Sequence, residues 1–274
     1  MIYSLRVIYA LDKKLTAIEK KYQKKLDKFY SDFEKSAINQ ATRLRDDKAK
    51  KSIALPQSKQ SGLDNLLKQY FRDIEKAGTD SVKQDLLKHA KTEQEKNNVM
   101  DLKAPKSNKI NNVWAERLAA RQAAAFEKVV TESLKDAIKQ KPDISANELK
   151  QIIRQKTEAY KNLRIDNTIQ NESNRIQNQV RIEAYRNSGL VKSVIFVAVL
   201  DGRTTVNCRT KHNTVLDIND PRLSEYMVPQ HPRCRSYLNY VLNGDKVKNT
   251  ASAKINRLIK NNPIQPLKGM PRSA

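Results

Sequence analysis

Both cysteines of the chain, Cys208 and Cys234, and two of its three histidines, His212 and His231, fall between positions 208 and 234. Thiolate and imidazole are the usual ligands of zinc. A Cys-x3-His pair followed, after residues 213–230, by a His-x2-Cys pair approximates the two-plus-two pattern of a tetrahedral structural site. The members of each pair are close enough in sequence to bind one ion, and the connector is long enough to return the chain. The same residues admit two other readings. An even cysteine count permits a Cys208–Cys234 disulfide, which a reducing cytoplasm would oppose. Alternatively, the cysteines are small buried apolar residues and the histidines make ordinary hydrogen bonds.

Catalysis is the other chemistry these residue types allow. Asp201, Arg203, His212 and His231 suit a metal-dependent or general-base hydrolase, and a cysteine beside a histidine could form a nucleophile pair. The zinc deaminase signature, His-x-Glu with a later Pro-Cys-x-x-Cys, is absent. Asp201 and Arg203 serve more simply as a charge-assisted turn at the end of a strand, with Thr204 capping the residues that follow. On this reading no residue is catalytic, and any Zn2+ held by Cys208, His212, His231 and Cys234 is structural, with no other cofactor.

The order of these blocks is itself informative. An apolar run, Val194 to Leu200, leads into Asp201-x-Arg203-Thr204, then Cys208, then Pro229-x-His231-Pro232-x-Cys234-Arg235, and it is preceded by a segment ending Ala184 to Val191. Over about residues 165 to 242 this order resembles the head morphogenesis domain of the minor head proteins of tailed bacteriophages, the Mu F-like family. The sequence departs from many members in carrying Phe196 where they have tryptophan, and Ser236 after Cys234-Arg235 where a further cysteine can stand. The resemblance implies a minor capsid protein present in few copies in the virion, in the capsid interior near the portal, and made in the host cytoplasm. It implies portal protein and major capsid or scaffolding protein as partners, with a role in assembly or in the passage of DNA.

Charge points to the same surroundings on separate grounds. The chain carries 53 Lys and Arg against 30 Asp and Glu, a formal charge of +23, which favours polyanion binding through counterion release. The lysines are spread along the chain without a base-reading module, so contact with double-stranded DNA is expected to be sequence-independent. No run approaches the roughly 18 uninterrupted apolar residues of a membrane span, so no membrane role is expected. Met1 to Ala10, interrupted by Arg6, reads as the start of a helix, not a signal peptide.

The elements that must position the cluster follow from periodicity. With only six glycines and abundant Lys, Glu, Gln, Ala and Leu, the chain favours long helices. Leu15, Ile18, Tyr22, Leu26, Phe29 and Phe33 place a stripe on one helical face. Asp46 to Gly62 reads as a linker, Leu63 to about Asn97 as a second helix in which His89 is a packing or surface residue, and 98–112 as another break. Trp114, Leu118, Phe126, Val130, Leu134 and Ile138 form the stripe of what reads as the longest helix, with Trp114 as a packing anchor. Ser145-x-x-Glu148 is a capping box opening the next helix, which continues through Ile165, Ile169, Ile176 and Val180 to a stop at Gly189. Val191 to Leu200 then reads as a buried strand and Ser236 to Leu242 as a second one.

These readings define an α+β protein: an extended, mostly helical amino-terminal region over 1–112 with loops near 46–62 and 98–112; a helical segment plus the motif-bearing domain over 113–242, its core at 190–242; and a basic tail over 243–274, expected to be mobile, with a short helix around Ser252 to Ile259. Asp201, Arg203, Thr204, Pro232 and Arg235 are its structural motif. A reading of a different class is a zinc-stabilised DNA-binding or nuclease-like protein.

Overall fold

A computed structural model describes residues 12–46, 57–103 and 108–245. The helical start expected at Met1 to Ala10, residues 47–56 of the linker, Pro105, and the basic tail from 246 with its short helix lie outside the described residues. In chain order the elements are α1 (Asp12–Asp46), α2 (Gln57–Leu87), α3 (Glu93–Met100), α4 (Asn108–Gln140), α5 (Ala146–Ser188), β1 (Val191–Val197), α6 (Val206–Lys211), β2 (Val215–Asp217), a 3-10 turn (Pro221–Tyr226) and β3 (Tyr237–Leu242). No described helix is long and apolar enough to cross a membrane.

The chain divides into two compact units, each discontinuous in sequence: residues 1–78 with 104–176, and residues 79–103 with 177–274. The sequence boundary at 112/113 therefore falls inside α4. In the first unit the expected stripe of α1 is present, with Leu15, Tyr22, Leu26 and Phe33 buried and Tyr30 added to it. Phe33 meets Phe126 of α4 with ring centroids 4.9 Å apart, and Tyr22 meets Tyr70 of α2 at the same distance. Each such side chain, fully buried, contributes about 1.5–3 kcal/mol. Their polar atoms are matched: Tyr30 donates to Gln122 Oε1 at 2.6 Å, Gln122 donates to Thr168 at 2.6 Å, and Tyr70 donates to the Ile169 carbonyl at 2.9 Å.

Helix boundaries differ from the sequence reading in instructive ways. α2 begins at Gln57, so the last residues of the expected linker are helical, and Gly62 sits where a Cβ would come within 3.4 Å of Phe29. Close packing of the two helices outweighs the low helix propensity of glycine there. The second helix stops at Leu87 and restarts at Glu93, where Thr92 and Glu95 form a reciprocal capping box. The break expected over 98–112 shrinks, since α3 runs to Met100 and α4 starts at Asn108. On α4 the buried row is Ala115, Ala119, Phe126, Val130, Leu134 and Ala137, with Trp114, Leu118 and Ile138 only half-buried beside it. Trp114 donates to Glu172 at 2.9 Å and stacks under Arg121. The longest helix is α5, of 43 residues. Its Ser145–Glu148 capping box forms as expected, with bonds of 3.0 and 3.2 Å.

The second unit holds the sheet. Gly189, at φ 68°, ends α5 in the left-handed conformation that glycine adopts without steric cost. β1 enters at once and pairs antiparallel with β2 on one side and β3 on the other, in the order β2-β1-β3. The strand is shorter than the apolar run: Val194 and Phe196 are buried, but pairing ends at Val197, and Val199 and Leu200 are exposed. β2, three residues long, adds a third strand to the two that the sequence predicts. Phe196, Leu216 and Leu238 pack with Cys208, Leu223, Val228 and Cys234 in one apolar core. On this unit's helical side His89 is not isolated, because the Tyr240 hydroxyl stands 3.0 Å from its Nε2 and donates to Asp85 at 2.8 Å.

Candidate metal centre and the Asp201 turn

The end of β1 determines where the motif residues go. After Val197 the chain turns through Val199 to Thr204, forms the single short helix α6, and returns to the sheet as β2. Asn213, at φ 63°, donates to the Phe196 carbonyl at 2.8 Å, and Phe196 donates to the Thr214 carbonyl at 2.9 Å. His212 closes the same connection, its Nδ1 accepting the Ala198 N–H at 3.0 Å. Nδ1 is therefore unprotonated, and burial, which disfavours imidazolium, pushes the His212 pKa down in agreement.

Asp201 is the hub of the turn. Its Oδ1 accepts the Arg203 N–H at 2.9 Å, the Thr204 hydroxyl at 3.2 Å and Arg235 Nη2 at 2.6 Å, while its own N–H donates to Thr204 Oγ1 at 3.1 Å. Thr204 also bonds the Val199 carbonyl, and Arg209 donates to the Asp201 carbonyl at 2.8 Å. The Arg235 guanidinium, ahead of the Arg203 N–H, holds the Asp201 carboxyl well below the usual carboxylate range, and Arg235 is raised in turn. Arg203 contributes its backbone to the turn and leaves its side chain exposed. The Asp201–Arg235 ion pair joins the start of the motif to its end, 34 residues later.

A second device sets the cysteines. Thr205 caps α6 by accepting the Cys208 N–H at 3.4 Å, which places Cys208 on the inward face of the helix, fully buried. On the other side, the Cys234 N–H donates to the His231 carbonyl at 3.1 Å, closing a tight turn with Pro232 and Arg233 at its corners. Pro232 supplies the fixed φ of the first corner, and Arg233, at φ 58°, occupies the positive-φ second corner usual for a type II turn. The turn brings His231 and Cys234 to one side. The Cys208 and Cys234 sulfurs are 3.8 Å apart, and one ligand atom from each of Cys208, His231 and Cys234 lies within 4.8 Å of the others. Both cysteines are free thiols. Burial pushes the Cys208 thiol up, opposed by hydrogen bonds from Ser236 and Thr205.

The two sides are latched by residues that no sequence signal marked. Gln230, the variable position of Pro229-x-His231, accepts from Asn207 at 3.1 Å and Lys211 at 2.5 Å on α6, and donates to the Glu225 and Met227 carbonyls at 3.0 and 2.5 Å. Lys211 also donates to the Glu225 carbonyl at 2.6 Å and lies over the Tyr226 ring. Asn207 and Lys211 are one helical turn apart and so share a face, a spacing visible in sequence only once α6 is known.

Of the four residues proposed as ligands, the structure gathers Cys208, His231 and Cys234 and leaves His212 out. His212 cannot be reassigned without cost, because its Nδ1 is the acceptor for Ala198. His231 Nδ1 stands 2.9 Å from the Pro232 carbonyl, which only accepts, so Nδ1 carries the proton and Nε2 keeps its lone pair for a ligand. A soft divalent cation fits this donor set, and two Zn–S bonds of about 2.3 Å at the tetrahedral angle separate sulfurs by about 3.8 Å.

Comparison with known proteins adds a family likeness. Residues 128–239 match the family model described as Phage Mu protein F like protein. Among the curated proteins and among the solved structures nothing matches this chain. The matched segment includes β1, the Asp201 turn and both cysteines, the features on which the resemblance rested. The similarity to the phage Mu protein F like family thus spans residues 128–239, a little under half of the chain.

Proposed function

We propose that this chain is a minor capsid, or head morphogenesis, protein of a tailed bacteriophage. It acts at the portal and in the head interior, in capsid assembly and in DNA packaging or ejection. The family match over residues 128–239 carries this reading. Its partners on this reading are portal protein, major capsid or scaffolding protein, and the backbone of double-stranded DNA. The excess of 53 basic over 30 acidic residues supports the last of these, since a charge of +23 binds polyanion without reading its sequence. The motif acts as a structural clasp: Asp201 Oδ1 accepts from Arg235 and from two further donors, and the Arg235 guanidinium keeps the carboxyl well below the usual carboxylate range, which makes it a weak base.

The test is assembly. When the chain is co-expressed with the portal and coat proteins of the phage that encodes it, it should co-purify with portal and enter heads in a small number of copies. A chain that neither binds portal nor enters heads ends this reading.

A further inference from the structure

We propose that Cys208, Cys234 and His231 bind one zinc ion, with the fourth coordination position left to water or to an incoming group and with His212 taking no part. Three observations carry this. The sulfurs are already at the separation a tetrahedral zinc dithiolate requires, 3.8 Å, without being bonded to one another. The three side chains come from two different supports, α6 and the His231–Cys234 turn, and each support is fixed independently: α6 by its Thr205 cap, the turn by its 3.1 Å bond, and the two together by Gln230. Ser236, buried beside Cys208, offers a hydroxyl to its sulfur, the kind of outer hydrogen bond that orients a metal-bound thiolate.

Charge favours the same arrangement. Arg203, Arg209, Arg233 and Arg235 lie close in sequence to the two supports, and a bare divalent cation would be repelled there. Two thiolates with one neutral imidazole make the zinc centre electrically neutral. Binding releases the two thiol protons to solvent, with no oxidation or reduction. Because Cys208 and Cys234 are buried and His231 is only half-buried, the open position lies on the side of His231. A zinc ion there cross-links the segment after β1 to the segment before β3, reinforcing the Asp201–Arg235 pair that joins the same two segments.

The experiment uses the full chain, purified reduced, exchanged against zinc and then freed of excess ion. Elemental analysis should give one zinc per chain, and X-ray absorption at the zinc edge should show two sulfur and two nitrogen or oxygen neighbours. Cys208→Ser and Cys234→Ser should lose the ion, and His231→Ala should bind it roughly tenfold or more weakly. His212→Asn, whose side-chain oxygen can still accept the Ala198 N–H, should keep it. Wild-type protein that takes up less than about a tenth of an equivalent, with both thiols titrating freely, overturns the proposal whether or not any variant folds. A folded His212→Asn that loses zinc as completely as His231→Ala overturns the three-ligand set. Failure to enter heads would leave the zinc result untouched, so this proposal and the assembly reading are tested separately.

Discussion

Asp201 shows how one carboxylate can organise a motif. Its partners come from the next turn and from Arg235, and its side chain is 38% exposed, so the ion pair must be discounted for solvent screening. We expect Asp201→Asn to destabilise the protein by about 1 kcal/mol at neutral pH. The pH dependence has a definite sign. The folded pKa is depressed, so the contribution is complete above the unfolded carboxylate value of about 3.9 and is lost as pH falls below it. Denaturant melts of the two proteins should therefore differ at pH 7 and converge toward pH 3. An equal gap at both pH values would mean that the charge of Asp201 contributes nothing. The residue types of this turn were legible in the sequence. The direction of His212 was not, because spacing says how far apart two ligands stand along the chain and nothing about which backbone donor a ring will meet first.

At the scale of elements, periodicity located the long helices and their ends where caps were explicit, and failed where tertiary contact decides. Ser145 and Glu148 announced the start of α5. The equivalent signal at Thr92 and Glu95 was equally present but was submerged in a helical pattern that runs across it. Gly62 closes the segment that reads as a linker, yet it lies within α2 and lets that helix approach Phe29. On α4 the row Trp114, Leu118, Phe126, Val130, Leu134 and Ile138 reads as one face; its middle, Phe126, Val130 and Leu134, is buried, and at its ends Ala115, Ala119 and Ala137 take the buried places, since small residues fit the closest approach between helices. β2 is too short at three residues to show any period. The Thr92 box gives a clean measurement: Thr92→Ala should cost about 1 kcal/mol, since it deprives the Glu95 N–H of its acceptor, Thr92 Oγ1, while the backbone N–H of residue 92 can still donate to Glu95. Thr92→Ser should restore most of that stability in the same melt. If Thr92→Ala is neutral, the break at 88–92 is set by packing alone.

For the whole molecule the charge remains the dominant fact, and its placement on α1 makes it testable. Lys20, Lys24 and Lys28 recur every four residues and are exposed, on the side of the helix away from the buried Tyr22, Leu26 and Tyr30. Nearby acids are already engaged, Asp73 by Lys21 at 3.0 Å and Asp27 by Lys161 at 3.3 Å, so they do not neutralise this row. A stripe of lysines at this spacing suits phosphates, which it can neutralise one by one with release of condensed counterions. Binding to two unrelated duplexes should then be equally tight, and it should weaken linearly with salt on a double-logarithmic plot. Replacing Lys20, Lys24 and Lys28 by glutamine should lower the magnitude of that slope by up to about 3 and weaken both duplexes alike. The substituted lysines are exposed, so a change in helix content is not expected, and circular dichroism checks it. An unchanged slope would remove the α1 face from the DNA-contacting surface, and a preference for one duplex would contradict backbone-only recognition.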